Sequence, residues 1–228
     1  MPVRVSLRGL VVPGRLRAPA ALWACFLVQT AIVARWPGFF LDTMVDDLVG
    51  WLRGSVEPRV PGSRGAAGVV ARLGAREVLI PLLLVTAIVV GWRRRSAGTV
   101  VLLVGSYLLV AAAASLVKAG LARPQPLPLP GVPGRAFPSG HAAQAVVVFG
   151  ALALLAAAGR SPEWRRRAFA GVGGIVAVVS IALLWRQAHW LTDMVGGITL
   201  GLACLTTVHA AVATAIESQP GTPVACRE

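Results

Sequence analysis

The chain has 228 residues, 56% of them hydrophobic and 14% charged, with a mean hydropathy of +0.73. A soluble domain is about 45–50% apolar and about 25% charged, so this composition excludes an ordinary soluble enzyme and a disordered chain, and an integral membrane protein is the expectation. The net charge of +13 does not point to nucleic acid, because the arginines form no face and stand in short runs between apolar stretches, as the positive-inside rule requires.

Taken in chain order, residues 1–17 are basic, with Arg4, Arg8, Arg15 and Arg17. An apolar stretch from about Ala20 to Ala34 follows and stops at Arg35-Trp36-Pro37. No small-residue cleavage site stands out, so this reads as a retained first span rather than a signal peptide. Residues 35–77 are rich in Gly, Pro and Arg. Within them Val45, Leu48, Val49 and Leu52 recur at helical spacing, with Asp42, Asp46, Asp47 and Arg53 on other faces. That pattern fits an amphipathic helix on the membrane surface and equally a helix packed over the bundle. Further spans are expected at Val78–Trp92, Thr99–Val117, Ala142–Ala158, Ala168–Leu184 and Met194–Ala215. The expected fold is therefore all-α: a polytopic membrane protein with about six transmembrane helices in a bundle. Its parts are an N-terminal segment (1–77), a transmembrane core (78–215) and a short tail (216–228). Cys25, Cys204 and Cys226 show no metal or redox spacing. No spacing suggests a metal ligand set, and no cofactor is expected.

Six spans place both termini on one side. The N-terminus, the 93–98 and 159–167 loops and the tail hold twelve Lys and Arg residues; the 118–140 and 185–193 loops hold four. The 35–77 segment holds six, offset by five acidic residues. The bias puts the termini in the cytoplasm and the 118–140 and 185–193 loops on the outer face of the cell membrane.

Those two loops collect the unusual polar residues: Lys118, Arg123, Arg135, Ser139, His141, Arg186, His189 and Asp193. Ionisable groups at span ends are costly unless they reach water or serve a purpose. Pro138-Ser139-Gly140-His141 stands immediately before an apolar helix. Ser139 suits an N-cap, Gly140 lets a ligand approach the backbone, and free N–H groups at a helix start attract an anion. A plain cap beside a bystander histidine fits the same four residues. His189 and Asp193 are four apart, so on a helix they share a face, and an aspartate on one imidazole nitrogen leaves the other free to act as base or nucleophile. A structural His–Asp pair at a helix end is the plainer alternative. Lys118, the only lysine, ends a span and could simply snorkel to the interface. Together these groups offer cations and amides for a tetrahedral oxyanion and two histidines for covalent phosphoryl transfer. Arg135 reads as part of a Pro/Gly-rich loop outside this set.

At these residues the chain resembles an integral-membrane type 2 phosphatidic acid phosphatase, of the superfamily that also includes vanadium haloperoxidases. The Phe137-Pro138-Ser139-Gly140-His141 segment matches that family's central motif, and His189-Trp190-Leu191-Thr192-Asp193-Met194-Val195-Gly196-Gly197 matches the end of its last one. The resemblance covers roughly residues 78–215. It implies that His189 is the nucleophile, that Asp193 orients it, and that His141 is the general acid. It further implies that Lys118, Arg123, Ser139, Gly140 and Arg186 bind phosphate, with no metal. The implied function is hydrolysis of a phosphomonoester or pyrophosphate on a membrane lipid: a polyprenyl pyrophosphate, phosphatidic acid or phosphatidylglycerol phosphate.

Two positions depart from the family pattern. Its usual Arg-Pro spacing from the lysine lands on Gln125-Pro126, whereas the arginine here is Arg123. The usual arginine six residues before the nucleophile falls on Leu183, whereas Arg186 lies three before it. Either the shifted arginines reach the same phosphate, or the site is weakened or altered. Loss of one charge-assisted contact in the transition state costs about 2–4 kcal/mol, roughly 30- to 1000-fold in rate. The alternative function is therefore a degenerate, non-catalytic lipid-phosphate binder or carrier.

Overall fold

The structure, a computed structural model, describes residues 16–94, 96–127 and 134–217. Most of the basic N-terminal segment, Arg95 and the tail with Cys226 lie outside the described residues. The described chain is helical, with no strand: α1 (Arg17–Arg35), α2 (Phe40–Val56), α3 (Ser63–Ala71), α4 (Arg76–Arg94), α5 (Ala97–Val100), α6 (Ser106–Leu121), α7 (Gly140–Ala157), α8 (Pro162–Trp185) and α9 (Leu191–Glu217). A 3-10 turn (Arg72–Gly74) joins α3 to α4, and a π turn (Val101–Gly105) joins α5 to α6.

Among the described residues, six helical stretches are long and apolar enough to span a bilayer: Arg17–Arg35, Ser63–Arg93, Ala97–Leu121, Gly140–Ala157, Pro162–Trp185 and Leu191–Ala215. The expected number of spans is found, and several boundaries move outward. The span expected from Val78 is preceded by helix from Ser63. The Arg165-Arg166-Arg167 run, read as a loop, lies within α8, because Ser161 caps Trp164 N–H and Pro162 occupies the first turn.

α7 is the central helix and α9 lies against it; α1 packs on α9, α8 on α7, and α3 on α8. Without water to drive helices together, membrane bundles rely on close packing of small residues and on interhelical hydrogen bonds. Both devices are present. Gly197 and Gly201 stand four apart on α9. A Cβ on Gly197 would lie 2.5 Å from the Ser139 carbonyl oxygen, and one on Gly201 2.7 Å from that of Ala143. The two backbones therefore meet directly at the start of α7. Across the other side of α9, Trp23 donates to Thr207 at 3.0 Å and Gln29 to Thr199 at 3.2 Å. Large apolar side chains such as Leu27, Val85, Ile88, Leu108, Leu116 and Ile181 stay exposed on the perimeter, as in helices whose outer face meets lipid.

The segment 40–56 is a helix, and its placement combines the two expectations. Phe40, Met44, Leu48 and Trp51 are exposed. Asp42, by contrast, is buried at 1% exposure, and Asp46 meets Gln187 at 2.8 Å. The polar side of α2 thus faces the protein and much of its apolar side faces outward.

Candidate active site

The end of the bundle where α6 finishes and α7 and α9 begin gathers most of the polar residues singled out in the sequence. Ser139 caps α7, accepting from Ala142 N–H at 3.4 Å, and its own N–H donates to the Asp193 carbonyl at 2.9 Å. This second bond ties the start of α7 to the start of α9. The first-turn N–H groups of Gly140 and His141 have no carbonyl partner within the helix. A Cβ on Gly140 would meet nothing within 4 Å, so that turn is open to an approaching group.

His189 does not lie on a regular helix. α8 stops at Trp185 in a Schellman turn: Gln187 takes φ 51, its N–H donates to the Leu184 carbonyl, and Ala188 N–H to that of Leu183. Arg186 and His189, three residues apart, are therefore not one helical turn from each other, since the turn between them is irregular. His189 still meets Asp193, with Nδ1 3.4 Å from Oδ2, because α9 begins at Leu191 and brings Asp193 back in its first turn. Trp190 N–H donates to the same carboxylate oxygen at 2.9 Å. His189 is 8% and Asp193 0% exposed.

Arg123 is turned inward. Nη1 donates to Asp193 Oδ1 and to Thr192 Oγ1, both at 2.7 Å; Nη2 donates to Asp42 Oδ2 and the Pro37 carbonyl, also at 2.7 Å; Nε donates to Pro37 at 3.2 Å. A guanidinium has five N–H donors, and these five bonds use them. With these bonds made, Arg123 has no donor left for a phosphate, whereas the resemblance implies a phosphate-binding part for it; two buried carboxylates hold it instead. Its guanidinium also stacks over Trp190 at 5.5 Å.

Asp42 completes this network and was missed in the sequence. Its Oδ1 accepts from Thr192 N–H at 2.8 Å and its Oδ2 from Thr192 Oγ1 at 2.7 Å. It thus takes up one orphan N–H donor of α9 from another helix, where a negative charge is also favoured. The one available signal was an aspartate directly after Phe39-Phe40-Leu41, an acidic group among apolar neighbours.

Lys118 is half-buried at the end of α6, and its Nζ donates to the Arg135 carbonyl at 2.5 Å. The Arg135 side chain is exposed. Lys118 interacts electrostatically with Asp193, and His141 with His189, Lys118, Arg186 and Glu77. Arg186 and His141 line one cavity of about 270 Å³. Leu183, where the family pattern has an arginine, is 2% exposed, packed among Ala71, Ala142, Val179 and Met194. Of the expected residues, His141, His189, Asp193, Lys118, Ser139, Gly140 and Arg186 share this end of the bundle, and Arg123 lies beneath them. Among the described residues, no group of three His, Cys, Asp or Glu side chains could hold a metal ion.

The fold and this cluster define a multi-pass helical membrane protein with two histidines, a buried carboxylate and several cations at one end of its bundle. The chain belongs to the PAP2 superfamily, whose family model matches residues 99–217. Its fold is similar to the crystal structure of a transmembrane PAP2-type phosphatidylglycerolphosphate phosphatase from Bacillus subtilis, with a TM-score of 0.70 and 21% identity over 90% of this chain and 99% of that one. Among curated proteins, none matches the chain. Membership of this superfamily, together with the membrane-spanning helices, supports a lipid-phosphatase kind of protein.

Proposed function

We propose that the protein hydrolyses a phosphomonoester or pyrophosphate on a membrane lipid through a phosphohistidine. The observation that carries the reading is the braced pair: His189 Nδ1 lies against Asp193, whose carboxylate is itself fixed by Arg123 and Trp190 N–H. With Nδ1 so occupied, Nε2 carries the lone pair that attacks phosphorus. The bond from phosphorus to the leaving oxygen breaks, and His141 supplies a proton to that oxygen. Lys118, Arg186 and the first-turn amides around Ser139 and Gly140 neutralise the phosphoryl oxygens as charge builds. Water then attacks the phosphohistidine, restoring His189 and releasing phosphate. Arg123 acts here as a positioning residue for Asp193 rather than as a phosphate ligand. Candidate lipids are a polyprenyl pyrophosphate, phosphatidic acid and phosphatidylglycerol phosphate, with the site on the outer face and the termini in the cytoplasm.

The reading is tested by phosphate release from these three lipids in detergent, with His189→Ala beside the unmodified protein. Release that vanishes in His189→Ala is the expected result. A second reading, a lipid-phosphate binder without turnover, is favoured by the inward turn of Arg123 and the burial of Leu183. It takes over if the unmodified, folded protein releases no phosphate yet binds these lipids as tightly as His189→Ala does.

A further inference from the structure

α3 and the 3-10 turn after it lie outside the residues matched by the family model and carry two arginines, Arg64 and Arg72, that the reading above does not use. Arg64, Gly68 and Arg72 are spaced by four, so they share one helical face. That face forms a wall of the cavity of about 270 Å³, which His141 and Arg186 also line. The volume is near the lower end of small-ligand pockets, roughly 300–1,000 Å³. Three guanidinium groups line the cavity and no carboxylate does. Among the described residues none of the three is in an ion pair, in contrast to Arg123. Gly68 is part of the construction: a Cβ there would lie 3.5 Å from Cζ of Arg186.

Unpaired cations gathered around a concave space favour an anion, and guanidinium groups bind phosphate oxygens in pairs of charge-assisted bonds. The position of His141 says which part of a substrate would be there. Under the reading above, which this inference rests on, His141 serves the leaving oxygen, so the cavity it lines lies on the leaving-group side. A leaving alcohol carries no charge for three arginines to meet, whereas a leaving phosphate does.

We propose that Arg64 and Arg72 form a second anion subsite that holds the inner phosphate of a lipid diphosphate while the outer phosphate is transferred at His189, with Arg186 shared between the two phosphates. In the balanced step, Nε2 of His189 bonds to the outer phosphorus and the bridging P–O bond breaks. The lipid monophosphate leaves with the bridging oxygen. Water then releases the outer group as orthophosphate. Arg64 and Arg72 thereby add charge beside Arg186, on the leaving-group side of the site.

The test compares the full-length protein with the double variant Arg64→Gln/Arg72→Gln, both in detergent. Inorganic pyrophosphate and orthophosphate are titrated calorimetrically. Pyrophosphate affinity is expected to fall about 10- to 100-fold in the double variant and orthophosphate affinity by much less. Arg64→Lys/Arg72→Lys is expected to recover part of the loss as point charges. In turnover, the ratio of kcat/KM for a polyprenyl diphosphate over the monophosphate of the same lipid is expected to fall by the same factor. Unchanged pyrophosphate affinity, or an equal loss for both anions, would overturn the subsite. Arginine-dependent pyrophosphate binding without any turnover by the unmodified protein would support the subsite and defeat the phosphatase reading instead.

Discussion

The two displaced arginines of the family pattern have different fates, and the difference is local. Ala122, directly before Arg123, takes φ 45, and Gln187, directly after Arg186, takes φ 51. A non-glycine residue in this left-handed region costs roughly 1–2 kcal/mol, so each turn persists because its surroundings hold it. The first delivers Arg123 to Asp42 and Asp193. The second ends α8 and sets up the approach of His189 to α9. Arg123 lies between two carboxylates that are each at most 1% exposed, and such a network is sensitive to loss of one partner. Asp42→Ala is expected to destabilise the protein by about 3–5 kcal/mol, because it leaves a buried guanidinium without one of its counter-charges. Asp42→Asn, which keeps an acceptor for Thr192 N–H, is expected to cost less. Denaturation in detergent measures both. For catalysis, Arg123→Lys is expected to lower kcat with little change in KM, since a single ammonium cannot make five directed bonds and Asp193 loses its orientation. A rise in KM at constant kcat would instead return Arg123 to direct phosphate binding.

At the scale of elements, the site depends on how closely α9 approaches α7. Ser139 N–H bonds to the Asp193 carbonyl only because Gly197 lets the two helix starts touch. Gly197→Val would drive Cβ and two methyl groups into the Ser139 carbonyl. Such overpacking costs about 1–3 kcal/mol, and the displacement would separate the Ser139–His141 turn from His189. The expected outcome is reduced thermal stability together with loss of activity. Gly171 on α8 is the control: a Cβ there meets nothing within 4 Å, so Gly171→Ala should leave activity intact and stability equal or higher, by up to roughly 1 kcal/mol. If both variants behaved alike, the close crossing would not be what builds the site. α2 contributes in another way, lending Asp42 to the first turn of α9 while exposing Phe40, Met44 and Trp51.

At the scale of the whole molecule, helix order and charge make a joint statement about orientation. The ends that carry His141, Arg186, His189 and Lys118 alternate with the ends that carry Arg93, Arg160 and the α8 arginine run. The second set has more arginine, so by the positive-inside rule we propose that it faces the cytoplasm. In a background without the native cysteines, Leu127→Cys is expected to react with a membrane-impermeant maleimide on intact cells. Ser161→Cys is expected to react only after permeabilisation. The reverse pattern would put the site on the cytoplasmic face and change which leaflet supplies its lipid.

The class of fold, the spans and most of the residues gathered at the candidate site are legible in the sequence alone. Span length and apolarity are local properties, imposed by a bilayer that forces every backbone group into a helix. The Pro-Ser-Gly-His and His-to-Asp segments are likewise short and self-contained, so they could be read as they stand. Tertiary structure decided the partners. That Asp42, 81 positions from Arg123, closes the same network is set by how α2 docks, and periodicity within 40–56 carries no information about that. The inward turn of Arg123 follows from one backbone dihedral at Ala122 and from two acceptors distant in sequence. The meeting of Arg64 and Arg72 with His141 and Arg186 needs α3 to lie against α8. Motif spacing says which groups are present; where a guanidinium spends its hydrogen bonds depends on what the fold brings within 3 Å of it.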